Sequence, residues 1–356
     1  MENSNLEAII DKFAEQRIVV VGDLILDEFR WGKVVRINPE MPSAPLVDED
    51  ANRRRKHYIQ ASNVTYTSDL RLGGAGNVAR NIVGLGGEVY LFGVVGDDME
   101  GKLLLELARS DLNQKSYSIT SMRIPQLNDR PTTKKFRVMA HGQQIVRVDT
   151  ESREDIPKEV EDEILLRIKS YRREINGIVL SDYAKGVLTE RLSRELIQHA
   201  RSMGIPVIVD PKPKNFYKFS NPTLIKPNLK EAEHIVSEDL VYETLREKLE
   251  SLAKAIKSNS RAKYVAITCG EKGIFVYDGT SKHIPAPIVL PNTANSVGAG
   301  DTSTATIASA LSAGADIYSA AKLAVHASTL AIQEEGTATV ILDELRTSLK
   351  NYENAR

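Results

Sequence analysis

Short runs rich in β-branched residues alternate along this chain with longer segments whose apolar positions recur every three or four residues. Residues 17–23 (RIVVVGD) have the unbroken apolar character of a strand buried on both faces, and they end on a glycine and an acid. Residues 88–98 (EVYLFGVVGDD), 177–186 (GIVLSDYAKG), 205–213 (IPVIVDPKP) and 223–228 (TLIKPN) repeat that form, a strand running into a polar loop. Residues 262–279 (AKYVAITCGEKGIFVYDG) read as strand, glycine turn and strand. Helical patterns lie between them. Residues 77–87 carry Val78, Ile82 and Leu85 on one face, and 159–174 carry Ile164, Leu165 and Ile168. Residues 99–111 and 229–236 are also helical, and 189–204 starts at Thr189 and stops at Gly204. Two consecutive helices follow at 299–315 and 316–336.

This alternation predicts an α/β fold with a mainly parallel central sheet covered on both faces, three layers in all. Strand ends reading GD, SD, DPK and KPN put polar groups on the carboxyl edge, where open α/β sheets bind ligands. Two segments break the pattern. Residues 24–48 read as strands with no helix between them, and 132–149 as a hairpin turning at His141-Gly142. Together they predict a small β lid projecting from a single domain spanning 1–356. Residues 49–71 are polar and charged and read as a mobile insertion; the run Arg53-Arg54-Arg55-Lys56 reads as a solvated loop.

Composition narrows the classes. The chain has 356 residues, 42% hydrophobic and 27% charged, with a formal net charge of −1, so no global field favours nucleic acid or an anionic membrane. Cys269 is the sole cysteine, which rules out an intrachain disulfide. The N-terminus lacks the basic start and cleavage site of a secretory signal, and no apolar run approaches a membrane span. A soluble, cytoplasmic protein is expected.

The candidate chemistry centres on 295–304 (NSVGAGDTST). Gly298, Ala299 and Gly300 precede Asp301 at a helix start, where unpaired amides and the helix dipole attract anions and glycine lets a phosphate come close. A carboxylate there can take a proton from an attacking hydroxyl. An anion hole beside a base suits alcohol phosphorylation, although Asp is also an ordinary helix cap. Residues 71–81 (RLGGAGNVARN) set Gly73-Gly74 before Asn77 at another helix start. Asp23 and Asp27 follow a strand end, Asn228 and Glu231 stand three apart, and 268–273 (TCGEKG) is a glycine turn. No cluster has zinc spacing and no G-x-x-x-x-G-K-[ST] loop occurs.

In this order the five stretches resemble the ribokinase-like sugar kinases, the PfkB carbohydrate kinase family, over about residues 15 to 350. GGAGNVARN resembles that family's first signature, NSVGAGDTSTA its second, and N-L-K-E at 228–231 its magnesium-linked N-x-x-E motif. GDLILDEFRWGKVVRINPEMPSAPLV, VLSDYAKGVLT, GQQIVRVD and EEGTATV resemble the branch that phosphorylates D-glycero-β-D-manno-heptose 7-phosphate. The resemblance implies a ribokinase-like fold and an ATP- and Mg²⁺-dependent kinase acting on the anomeric hydroxyl of that sugar phosphate. The product would be the 1,7-bisphosphate, on a route to ADP-heptose and bacterial surface glycans. Other sugars, sugar phosphates or nucleosides are the alternative acceptors, and a non-catalytic sensor is the non-enzymatic one.

The resemblance further implies Asp301 as base and the Gly298, Ala299 and Gly300 amides as anion hole. Asp23, Asp27, Gly73, Gly74 and Asn77 are implied to hold sugar hydroxyls. Asn228 is implied near the ATP phosphates, with Thr268, Gly270 and Gly273 lining the nucleotide and Glu231 acting on Mg²⁺ through water. His326 lies on a helical face near the adenine, or simply packs there. Candidates for the acceptor's own phosphate are Arg137, Arg147 and Lys185, the two arginines reading equally as exposed strand charges. Trp31 reads as a packing anchor and Cys269 as a buried small residue.

Three features depart from the family. Asn295 stands where Asp is usual and Val297 where Thr is frequent, which leaves a monovalent cation open. Lys226 replaces a usual Thr or Ser and adds charge near the nucleotide phosphates. With no H-x-G-H motif, the kinase step alone is expected, adenylylation falling to another protein. A homodimer through the β lid is expected from its exposed sheet edges.

Overall fold

The strand Arg17–Gly22 pairs in parallel with Glu88–Phe92 on one side and Gly177–Ser181 on the other. It sits inside an eight-stranded sheet. From that Gly177–Ser181 strand the order continues through Val207–Asp210, Leu224–Ile225, Tyr264–Thr268, Ile274–Tyr277 and Ser281–Ile284. Only the last two strands run antiparallel to their neighbours. The computed structural model describes residues 2–37, 45–49, 60–61, 64–65, 69–113, 126–127, 129–141, 143–171, 174–237, 242–287, 297–334 and 336–354.

The period of two explains the layers. Ile18, Val20, Val179, Ile208 and Leu224 join one hydrophobic cluster, while Val19, Val21, Ile178, Leu180, Val207, Val209 and Ile225 join another. The first is covered by helices Ala75–Gly84, Met99–Asn113, Ala299–Ser312, Ile317–Gln333 and Leu342–Asn354; the second by Lys158–Ser170, Glu190–Met203, Leu229–Val236 and Leu245–Ser260. Three layers and a mainly parallel sheet therefore stand as expected from the alternation. The Glu190–Met203 helix also starts and stops on the expected residues: Thr189 Oγ1 accepts from the Leu192 amide, and Gly204 adopts a φ of 70°. Helices Leu245–Ser260 and Leu342–Asn354 are absent from the sequence reading. Leu249, Leu252 and Ile256 in the first, and Leu345 and Leu349 in the second, are their buried stripes.

A second, five-stranded sheet branches off at Asp23. The 14-residue strand Leu24–Ile37 pairs in parallel with Lys134–Ala140, which forms an antiparallel hairpin with Gln143–Thr150. On its other side it pairs antiparallel with Asp69–Gly74 and Pro45–Glu49. Residues 69–71 thus belong to a strand, which corrects the end of the expected insertion; most of 49–68 lies outside the described residues. Trp31 anchors this sheet, stacked on Phe29 at 5.8 Å and donating from Nε1 to Asp69 Oδ2 at 3.1 Å.

Candidate active site

The carboxyl ends of the parallel strands bring Asp23, Asp182, Asp210, Lys226 and Thr268 to one edge of the main sheet, and the helix Ala299–Ser312 begins beside that edge. Its N-cap is Gly298, with a φ of 83°. Glycine is required there twice over: L side chains avoid that φ, and a Cβ would stand 2.9 Å from both Asn77 Nδ2 and Thr337 Cγ2. Over Gly300 a Cβ would meet nothing within 4 Å, so the first-turn backbone faces open space. Anions are favoured at such a start.

Asp301 is 3% exposed. Its Oδ1 accepts from the Tyr183 hydroxyl at 2.6 Å and its Oδ2 from Asn77 Nδ2 at 2.9 Å. Burial raises its pKa to about 6, with the Asp210 charge adding to the rise and the two hydrogen bonds and Lys226 opposing it. A group so placed is ionised at neutral pH yet basic enough to take a proton from an alcohol. Asn77 is itself locked: it is fully buried, and Asn81 Nδ2 donates to its backbone and side-chain oxygens at 2.9 and 3.3 Å. Its amide orients the carboxylate at the place where the expected sugar hydroxyl would meet it.

Asp23 is also engaged by the protein. Its carboxylate accepts three backbone N–H bonds, from Tyr183 at 2.8 Å, Lys185 at 3.0 Å and Val187 at 3.1 Å. It is 1% exposed and serves to fasten the loop after the Gly177–Ser181 strand to the first strand. Asp182, in that loop, is buried and pushed up to about 6 by burial and by the charge of Asp23. Asp27 fits a ligand-facing role better but is also paired: Oδ1 accepts from Arg137 Nη1 at 2.6 Å and Oδ2 from Thr337 Oγ1 at 3.2 Å. Gly73 is needed beside it, because a Cβ would lie 2.4 Å from Asp27 Oδ2. Gly74 caps the Ala75–Gly84 helix that carries Asn77.

The three cations singled out in the sequence are all engaged. Arg137 is 5% exposed and bound to Asp27, so it is no exposed strand charge. Arg147 pairs with Asp149 at 2.9 Å with its side chain 47% exposed, and Lys185 pairs with Glu151. The cation missed is Lys135, which makes no ion pair among the described residues. Its Nζ lies 4.9 Å from the Tyr183 ring centroid, with Lys212 Nζ at 5.0 Å from the same ring. Burial lowers the Lys135 pKa, while Asp27 and Asp301 oppose that.

On the other side of the helix start lies a cavity of about 490 Å³. Asn228, Thr268, Gly270, Gly273, Ala299 and Gly300 all line it, as the nucleotide assignment expects. Ser303 adds a buried hydroxyl that has no partner among the described residues. Cys269 lines it too, half-buried, its thiol pushed up to about 11 by burial. Asn228 and Glu231 cap the Leu229–Val236 helix reciprocally, each side chain accepting from the other's amide at 2.9 Å, and Lys212 Nζ reaches Glu231 Oε1 at 2.5 Å. His326 does not line the cavity. It is 6% exposed, hydrogen-bonds Ser348 Oγ at 2.9 Å, meets Tyr352 edge-on at 5.3 Å, and has its pKa lowered to about 4 by burial. These are the surroundings that the packing reading describes. Lys226 is buried against Asp210 at 3.0 Å, and Thr304 Oγ1 donates to the same Asp210 oxygen at 2.8 Å. Asn295 lies outside the described residues.

Known proteins share the family and the fold. Residues 48–344 match the pfkB family carbohydrate kinases. The chain is 37% identical over 347 residues to the bifunctional protein HldE of Geotalea uraniireducens, covering 97% of this chain and 65% of that protein. It is 39% identical over 341 residues to the HldE of Coxiella burnetii strain Dugway, covering 96% and 65%. The chain thus spans just under two thirds of these curated relatives. Among solved structures, phosphofructokinase-2 from Escherichia coli in complex with substrates and products superposes with a TM-score of 0.74 at 18% identity, covering 95% of this chain and 99% of that one. Arabidopsis thaliana ribokinase complexed with ribose and ATP gives 0.65 at 18%, covering 94% and 98%. No helix among the described residues is long and apolar enough to cross a membrane.

Proposed function

Because the chain belongs to the pfkB carbohydrate kinase family, a phosphotransferase family with sugar hydroxyl acceptors, we propose that it transfers the γ-phosphoryl of ATP to the anomeric hydroxyl of D-glycero-D-manno-heptose 7-phosphate, giving the 1,7-bisphosphate. The observation that carries this reading is the Asp301 carboxylate, buried and raised to about 6, set directly behind Gly300, over which a Cβ would meet nothing within 4 Å. The stretches that resemble the heptose 7-phosphate kinase branch, among them GDLILDEFRWGKVVRINPEMPSAPLV and VLSDYAKGVLT, support the heptose assignment.

Asp301 takes the proton of the acceptor hydroxyl as its oxygen attacks the γ-phosphorus, and the Gly298, Ala299 and Gly300 amides hold the charge that builds on the phosphoryl oxygens. Asn77 keeps the carboxylate aimed. The nucleotide occupies the 490 Å³ cavity, against Thr268, Gly270 and Gly273, where the unpartnered Ser303 hydroxyl supplies a donor. Mg²⁺ supplies charge neutralisation on the phosphates. Glu231, paired with Lys212 and the Asn228 amide, is the residue that would hold the ion through water. Lys135, with no ion pair among the described residues, joins Arg137, Arg147 and Lys185 as a cation for the acceptor's own phosphate. The second sheet serves as a lid. Its edge strand Gln143–Thr150 is exposed throughout, Val148 at 54%, which supports a homodimer through that edge.

Two outcomes follow. A panel of sugars, sugar phosphates and nucleosides, read by ATP consumption, should rank heptose 7-phosphate first; a phosphate-free sugar outperforming it overturns the substrate assignment. The pH profile of kcat/KM should show an acid limb near pH 6. Asp301 must be ionised to act, so activity is full above that pH and falls roughly tenfold per unit well below it. A profile flat down to pH 4.5 would remove Asp301 from the role of base.

A further inference from the structure

Each oxygen of the Asp301 carboxylate accepts from one protein donor and the group is 3% exposed, so an acceptor hydroxyl has to find room at a carboxylate crowded by both. Asn77 is the partner that cannot yield. It is fully buried, gripped by Asn81, and its Nδ2 stands against the space that Gly298 leaves open. Tyr183 is the partner that can. It retains partial exposure, and its hydroxyl reaches Asp301 from a loop 118 positions away in the chain. The loop backbone is fixed by the Asp23 bonds to residues 183, 185 and 187, and by the Ala184 amide donating to Asp182 Oδ1 at 2.8 Å. Ala184 is held at a φ of 59°, a conformation that a non-glycine residue keeps only where its surroundings impose it. Release of Asp301 is therefore a rotation of the Tyr183 side chain, not a movement of the loop. The ring is flanked by the Lys135 and Lys212 ammonium groups, which an arriving anion draws away from it.

We propose that Tyr183 is a latch on Asp301: its hydroxyl stands in for the acceptor hydroxyl and denies the carboxylate to water until a sugar phosphate displaces it. The inference rests on the reading of Asp301 as base. The step it suppresses is the hydrolysis of bound ATP. In that step a water oxygen forms a bond to the γ-phosphorus, the bond from the γ-phosphorus to the bridging oxygen breaks, and ADP departs with the electron pair. The water's proton goes to Asp301, and the products are ADP and inorganic phosphate. A kinase that holds ATP beside an exposed base would run this reaction whenever sugar is absent.

The test is ATP hydrolysis by the full chain with Mg²⁺ and ATP and no sugar. Tyr183→Phe should hydrolyse ATP roughly fivefold faster than the unaltered protein or more, the weight of one lost hydrogen bond. Adding Asp301→Asn to that variant should abolish the gain. Tyr183→Met, measured alongside with thermal unfolding of each, covers a Phe variant that folds poorly. A folded Phe or Met variant that hydrolyses ATP at the unaltered rate overturns the latch. A gain that survives Asp301→Asn also overturns it, because the water is then activated elsewhere. Asp301→Asn alone separates the two ideas: if it still phosphorylates sugar, the base assignment fails, whereas if it is inactive while Tyr183→Phe shows no gain, only the latch fails.

Discussion

Asp301→Asn is expected to lower kcat for sugar phosphorylation by at least about 100-fold, the low end of what a general base contributes, with little change in KM for the sugar. The amide matches the carboxylate in shape, and its oxygen can still accept from Tyr183 or Asn77, so the pocket should stay formed. What it lacks is the ability to hold the proton that leaves the acceptor hydroxyl. Residual activity comes from the helix start and from positioning, which survive the substitution. Initial rates across sugar concentration at saturating ATP check it. A variant within tenfold of the unaltered kcat would show that the proton leaves by another route.

The second large effect is on the fold. Asp27→Ala is expected to destabilise the protein by about 3–5 kcal/mol, the usual penalty for stranding one member of a buried ion pair. Arg137 is bound to Asp27 at 2.6 Å, with both side chains 6% exposed, and it lies over the Phe29 ring at 5.1 Å. With Asp27 gone, the guanidinium has no water to turn to. Replacing both partners by apolar residues, Asp27→Leu with Arg137→Met, should recover much of that loss, because most of it belongs to the uncompensated charge. Urea unfolding of the single and double variants measures this. A single variant as stable as the parent would mean that Arg137 finds another acceptor or reaches solvent.

The main sheet was legible in the sequence because its strands are short apolar runs whose two faces are both buried, as at Ile18–Val21. The helix start at Gly298–Asp301 was legible because its chemistry lies within four consecutive residues. What escaped was either weak as a signal or distant along the chain. The stripe Leu249, Leu252 and Ile256 has helical spacing but follows a charged segment with no strand-end motif to draw attention. Tyr183, Lys135 and Thr337 join the site through contacts across the fold; the Thr337–Asp27 bond spans 310 positions. Asp23 shows what the local sequence leaves out. A short acid at a strand end is what a sugar site uses, and nothing local reveals that three backbone amides of a distant loop already satisfy it. Lys185 likewise reads as a phosphate cation, and its pairing with Glu151 forms only once the chain folds.

The burial that readies Asp301 for catalysis also couples folding to proton uptake. In an unfolded chain an aspartate titrates near pH 4; in the folded protein Asp301 and Asp182 both titrate at about 6. Between those values the folded protein holds protons that the unfolded chain has released. The contribution of these two groups to stability is therefore greatest below about pH 4 and is lost as pH rises through 6. At neutral pH each carries its charge against the fold, in a place where Asp23 and Asp210 add to the repulsion. The site's appetite for a proton is thus a standing load on the native state, borne by the strands and helices that hold the two carboxylates out of water.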